Sequence, residues 1–141
     1  MKMSQINAYL TFNGNCREAM TFYKKCLGGK LVLQTIGDSP MADKMPPQMK
    51  QNVLHSTLTK GALLIMASDM VSEQGLRRGN AVSLMLHCSS EEEINSYFSS
   101  LSAGGKIIDS LKAQFWGAIF GVFVDQFGIR WMLNYDKSQK S

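Results

Sequence analysis

Charge is scarce in this chain: 18% of its 141 residues are Asp, Glu, Lys or Arg, below the roughly 25% usual for soluble domains, while 45% are apolar. That balance excludes a disordered chain and describes one with a sizeable core. Long apolar runs are missing too; nothing approaches the roughly 18 residues of a membrane span. Met1-Lys2-Met3-Ser4-Gln5 leads into a strand-like segment with no secretory apolar region and no cleavage site. Cysteine is sparse, three residues without a framework spacing. Cys16 and Cys26 fall on one expected helix, about 15 Å apart along its axis, and a disulfide needs Cα atoms within about 7 Å. The expectation is a reduced, cytoplasmic chain without a membrane partner. Basic residues exceed acidic ones by only four. They are scattered, Arg77-Arg78 being the tight pair, and no basic stripe with interleaved aromatics appears, so no nucleic-acid partner is expected.

What the chain does have is an internal repeat. Asn15 to Leu27 is amphipathic, with apolar residues at 16, 19, 20, 23, 26 and 27. Asn13 or Asn15 can cap its start, and Gly28-Gly29 stops it. A shift of 76 gives a second helix, capped by Ser89 or Ser90 and opened by Glu91-Glu92-Glu93, with Ile94, Tyr97, Phe98 and Leu101 as its stripe. Under that shift Phe22-Tyr23 falls on Tyr97-Phe98, and Gly28-Gly29-Lys30 on Gly104-Gly105-Lys106. Strand-like segments flank each helix in one order. They are Ile6 to Phe12, Leu31 to Ile36, Val53 to Thr59 and Ala62 to Ala67, then Val82 to Cys88, Lys106 to Asp109, Ile119 to Asp125 and Ile129 to Tyr135. Gly61 aligns with Gly128 at a shift of 67, which leaves about nine extra residues in the first half, in the Pro- and Met-rich loop Gly37 to Asn52. The polar stretch Asp69 to Asn80 reads as a linker. The expected organisation is one domain, 1–141, of two strand-helix-three-strand modules at about 1–70 and 81–141, joined by a linker at about 71–80.

This tandem duplication resembles the vicinal oxygen chelate superfamily, which includes glyoxalase I, bleomycin-resistance proteins and extradiol dioxygenases. Its PhnB-like branch is similar through Ile6 to Asn15, Phe22-Tyr23, Leu27-Gly28-Gly29, Phe115-Trp116-Gly117 and Phe120 to Trp131. The resemblance covers nearly the whole chain. It implies an α+β glyoxalase-like fold: two βαβββ modules whose four-stranded mixed sheets curl into cups, with helices on the convex side, usually as a homodimer.

Enzymes of that superfamily hold one divalent metal with four inward side chains, commonly His, Gln or Glu, from the first and last strands of each module. Here strand alternation puts Ile6, Ala8, Leu10 and Phe12 on the helix and turns Asn7, Tyr9 and Thr11 into the cup. The shift of 76 carries Asn7 to Ser83, on a strand whose helix side is Val82, Leu84, Leu86 and Cys88. By resemblance the other two positions fall at Ile65 and Met132. Ile65 cannot ligate, a thioether suits copper(I) better than hard ions, and no carboxylate is present. Neither a metal nor any other cofactor is expected.

The two histidines, His55 and His87, are expected on the concave faces of their strands. His55 reads either as a general base or ligand contact, or as a half-buried histidine bonded to a neighbour on a face that Thr57 and Thr59 already make polar. For His87, nearer its strand end, the structural reading leads. Neither has a Cys or Ser partner at the spacing of a nucleophilic triad. Arg130 shares a face with Met132 and Asn134; it either clamps a carboxylate or phosphate, or is an exposed strand-end residue or pairs with Asp125 across the turn. Phe115 and Trp116 either stack a planar ligand at the cup mouth or seal a dimer interface. Met41, Met45 and Met49, four apart in the long loop, pack locally or lid the cup.

Proteins of the PhnB-like branch often carry a methyltransferase label. No Gly-x-Gly loop after a strand and no doubly wound parallel pattern support methyl transfer here. The leading expectation is a metal-independent protein that binds a small molecule in an apolar, aromatic cup. Its lining is Asn7, Tyr9, Thr57, Ser83, His87, Phe115, Trp116, Arg130 and Met132, with His55 as a candidate general base. The alternative is a glyoxalase- or dioxygenase-like lyase or isomerase, metal-dependent or not, acting on a small oxygenated or anionic substrate.

Overall fold

A computed structural model describes residues 4–137; Met1, Lys2 and Met3, at the start of the expected leaderless N-terminus, lie outside them. The chain divides into two compact units, 1–77 and 78–141, each with its own sheet and helix. In the first unit the elements are β1 (Ala8–Thr11), α1 (Cys16–Leu27), β2 (Lys30–Thr35), β3 (Val53–Lys60) and β4 (Leu63–Ser68). In the second they are β5 (Leu84–His87), α2 (Glu91–Ser102), β6 (Lys106–Ala113), β7 (Ala118–Val124) and β8 (Arg130–Asp136). The sheet orders are β1-β4-β3-β2 and β5-β8-β7-β6, with β1/β4 and β5/β8 parallel and the other pairs antiparallel. This is the expected α+β arrangement of two repeated mixed sheets.

Each helix packs on one face of its own sheet. From α1, Cys16, Ala19, Met20, Tyr23 and Leu27 are buried, against Leu10, Leu58, Ile65 and Ala67 of the strands. Ile94, Phe98 and Leu101 do the same from α2. Phe98 meets Phe123 edge-on at 5.1 Å, and Phe123 stacks on Trp131 at 6.3 Å. Gly121 makes room for this: a Cβ there would lie 2.6 Å from the Phe98 ring.

The helix ends follow two different solutions. Ser90 caps α2, its hydroxyl accepting from Glu93 N–H at 3.0 Å while the Glu93 carboxylate accepts from the N–H of Ser89, one residue before the cap, at 2.9 Å, a variant of the capping box. Asn15 occupies the cap position of α1 but its side chain makes no cap bond. The carboxylate of Asp69, immediately after β4, replaces it: one oxygen accepts from Gly14 and Cys16 N–H at 2.8 and 2.9 Å, the other from Val53 N–H at 2.8 Å. Asp69 is buried, so this start of the expected linker is part of the first unit's core.

Several expected boundaries move. Ile6 and Val82, expected on the helix side, lie outside the strands and are 100% and 80% exposed. β6 runs four residues beyond Asp109 as an edge strand with a shifting register, which its irregular pattern hides. The long loop holds two short 3-10 turns, Ala42–Lys44 and Pro47–Met49, and Met41, Met45 and Met49 are all half-buried around them.

The repeat offset also needs correction. Ala8 pairs with Ile65 and Leu84 with Trp131, so Ile65 matches Trp131, not Met132. The cause is the last turn. Gly61-Ala62 separates the paired Lys60 and Leu63, whereas Gln126-Phe127-Gly128 separates Asp125 from Ile129, which are joined N–H to carbonyl at 2.8 Å. Aligning the glycines therefore slides β8 by one residue, and in a pleated strand a one-residue slip exchanges the faces. In the first module the β2–β3 connection carries eleven extra residues, not nine: Thr59 lies 29 positions after its partner Lys30, Val124 only 18 after Lys106.

Candidate functional site

Helix packing leaves the other face of each sheet open. In the first sheet that face carries Tyr9 and Thr11 from β1, Met66 from β4, His55 and Thr57 from β3, and Val32 and Gln34 from β2. Register fixes this set: Tyr9, Met66, Thr57 and Val32 form one row across the four strands, and Gln34 lies opposite His55. Tyr9 is 49% exposed and Val32 50%; Thr57 between them is half-buried. Tyr9 reaches across β4 to His55, bringing its hydroxyl to 3.2 Å from Nδ1, with the rings 5.8 Å apart and tilted by 31°. Asn7 precedes β1, half-buried, and its carbonyl oxygen accepts from the Gln5 amide at 3.2 Å.

In the second sheet Met132 lies between Met85 and Val122, His87 opposite Asn134, and Arg130 opposite Val124. Arg130 and Met132 are half-buried, Met85 and His87 exposed, and Ser83 is half-buried just before β5. Asp125, the partner expected in the alternative reading of Arg130, accepts from Phe127 and Ile129 N–H at 2.8 and 3.1 Å and from the Trp131 indole at 2.9 Å. Trp131 occupies the helix-packed face, opposite to that of Arg130. Phe115 and Trp116 form the β6–β7 turn, 97% and 53% exposed, and touch each other edge-on at 5.0 Å.

Tyr9, His55 and Thr57 thus share one face of the first sheet, and His87, Arg130 and Met132 one face of the second. Ile65 does not belong with Asn7. It is 5% exposed on the helix-packed side, beside Ala8, and its neighbours along β4, which face the open side, are Leu64 and Met66. Neither is a ligand for a hard cation, so the donor set at the metal positions implied by resemblance does not fit a divalent ion held by nitrogen and oxygen. Among the described residues no group of three or more His, Cys, Asp or Glu could hold a metal.

Cys16 and Cys88 do not supply a nucleophile. Burial pushes the Cys16 thiol up to about 11 and the Cys88 thiol to about 12, so both are protonated at neutral pH. One feature escaped the sequence reading. The 70–77 stretch wraps a cavity of about 490 Å³ lined by Thr11, Met70, Val71, Ser72, Gln74, Gly75, Leu76 and Arg77. It read as linker because polar, Gly-containing composition marks a loop without telling what the loop encloses.

Residues 4–134 match the family model described as 3-demethylubiquinone-9 3-methyltransferase. The chain is 31% identical to Protein YjdN of Escherichia coli K12, with 95% of this chain and 97% of that one covered. It is similar in structure to protein PA1353 from Pseudomonas aeruginosa, with a TM-score of 0.81, 37% identity, and 95% and 98% of the two chains covered. A putative 3-demethylubiquinone-9 3-methyltransferase, PhnB protein, from Bacillus cereus gives a TM-score of 0.75 at 28% identity over 94% and 99%. A glyoxalase/bleomycin resistance protein/dioxygenase family enzyme from Burkholderia phytofirmans, 14% identical, shares the fold alone, with a TM-score of 0.60 over 91% and 96%.

Proposed function

This chain belongs to the 3-demethylubiquinone-9 3-methyltransferase family, the PhnB-like group with the glyoxalase-type fold, and from that premise we propose that it is a metal-independent small-molecule-binding protein. In this reading the two modules and the linker at about 71–80 form one glyoxalase-like domain, which works as a cytoplasmic homodimer. The ligand contacts come from Asn7, Tyr9, Thr57, Ser83, His87, Arg130 and Met132, with Phe115 and Trp116 stacking on the ligand or on the partner subunit. Among the described residues no helix is long and apolar enough to cross a membrane. The carrying observation is an open sheet face that mixes exposed apolar groups, Tyr9 and Val32, with the hydrogen-bonded imidazole of His55. Such a surface suits a ligand with an apolar body and a few polar atoms.

Methyl transfer is not part of the proposal. The sheets are mixed, in 1-4-3-2 order, and lack the parallel, doubly wound arrangement whose Gly-rich turn seats a nucleoside cofactor.

A second reading, a lyase or isomerase with His55 as general base and Arg130 holding an anion, is favoured by one contact, the Tyr9–His55 hydrogen bond that orients the imidazole. Native mass spectrometry of untagged protein, before and after incubation with zinc, nickel, manganese and iron(II), tests the binding reading. A dimer with a retained organic adduct, or without metal in every condition, supports it. One tightly held divalent ion per site overturns it in favour of a metalloenzyme.

A further inference from the structure

The Tyr9–His55 contact has two neutral arrangements. If the phenol donates to Nδ1, the imidazole proton sits on Nε2 and points outward as a donor. If Nδ1 carries the proton, it donates to the phenol oxygen, and the phenol's own proton turns outward instead. A protonated imidazole donates from both nitrogens. In every state the pair presents a donor to whatever lies on the face.

The surroundings are one-sided in charge. Thr57 and Thr59 follow His55 on the same face of its strand, Lys30 lies opposite Thr59 on that face, and none of the strand residues of this face is Asp or Glu. The cavity beside Thr11 adds Arg77 and no acid; Glu73, in the same loop, is not in its lining. An oxyanion placed here meets donors, with Lys30 on the same face and Arg77 in the neighbouring cavity, and no carboxylate among the strand residues of the face or the lining of that cavity. An ammonium group would meet no charged acceptor. The row that carries Tyr9 and Thr57 also carries Met66 and the half-exposed Val32, an apolar strip next to the donor pair.

Resting on the binding function proposed above, we infer that this face takes a small amphipathic organic anion. Its carboxylate or phosphate monoester lies at Tyr9 and His55, and its aromatic or alkyl body lies over Met66 and Val32.

NMR titration of the full chain with benzoate, phenyl phosphate, inorganic phosphate, benzyl alcohol and benzylamine tests this. Benzoate or phenyl phosphate should shift the His55 ring and Met66 methyl signals and bind about tenfold more tightly than benzyl alcohol, with benzylamine weaker still. Tyr9→Phe and His55→Gln, both at exposed positions, should keep the native circular dichroism spectrum. Each should weaken anion binding about tenfold and weaken benzyl alcohol several-fold less. Benzyl alcohol or benzylamine binding as tightly as the anions overturns the anionic class while the binding function stands. Inorganic phosphate matching phenyl phosphate overturns the apolar body, and anion binding indifferent to both substitutions overturns the placement. If no probe moves these signals the inference is overturned outright, and the mass-spectrometric adduct then decides separately whether the binding function survives.

Discussion

The carboxylate of Asp125 accepts the indole N–H of Trp131 at 2.9 Å, six residues along the chain and across the last turn. Its other oxygen accepts the Phe127 and Ile129 N–H groups at 2.8 and 3.1 Å. Asp125 is 3% exposed and Trp131 2%, so a single buried side chain satisfies two turn amides and the tip of the largest residue under α2.

Asp125→Ala should therefore leave three donors, two of them buried, without this acceptor and cost about 2 to 4 kcal/mol. Urea unfolding followed by tryptophan fluorescence reads this, with Trp116, already exposed, contributing a constant background. Asp125→Asn, which keeps one acceptor oxygen, should fall between wild type and Ala.

The unequal helix starts give a graded series. Asn15→Ala should change stability by less than about 0.5 kcal/mol, because its side chain caps nothing. Ser90→Ala should cost about 1 kcal/mol through loss of the Glu93 cap bond. Asp69→Ala should cost more than either, since it releases the Gly14, Cys16 and Val53 amides together. Denaturant midpoints that rank the three in another order would refute this assignment of the caps.

Alkaline pH should weaken the fold through its thiols. Burial raises Cys16 from the ordinary 9.0 to about 11 and Cys88 to about 12, so the folded chain keeps its thiol protons over a range where the unfolded chain has lost them. The sign follows: this stabilisation is complete below about pH 9 and is lost as pH rises through 11 to 12. Cys88→Ala should flatten the fall of the urea midpoint above pH 9. With a thiol-reactive disulfide reagent at pH 8, the half-buried Cys26 should react before either.

The repeated glycines are fixed by backbone contact. A Cβ on Gly29 would run into the carbonyl oxygen of Thr59, and one on Gly105 into that of Val124, the same approach of helix exit to hairpin strand in both modules. Gly29 also has φ +95°, unfavourable for any side chain. Gly29→Ala and Gly105→Ala should each lower stability by about 2 kcal/mol or more, measured by thermal unfolding. Gly61→Asn, at φ +57° with nothing within 4 Å, should be nearly neutral.

By itself the sequence determined the duplication, both helices, the order of the strands and the faces of most of them. These are set by local periods of two and 3.6 and by Gly-Gly stops, which need no knowledge of neighbours. It also flagged Tyr9, His55 and Thr57 as residues of one sheet face, because alternation is local. Tertiary structure alone decided the rest. Pairing with Ala8 put Ile65 on the packed side, and the extra residue in the Asp125 to Ile129 turn made Trp131, not Met132, its counterpart, since hairpin register depends on turn length and not on where glycines align. Asp69 became the cap of a helix that begins 53 residues earlier, which no local pattern encodes. Tyr9 met His55 because β4 lies between β1 and β3. That sheet order is selected by burial of the whole apolar face against α1, and no segment carries it alone.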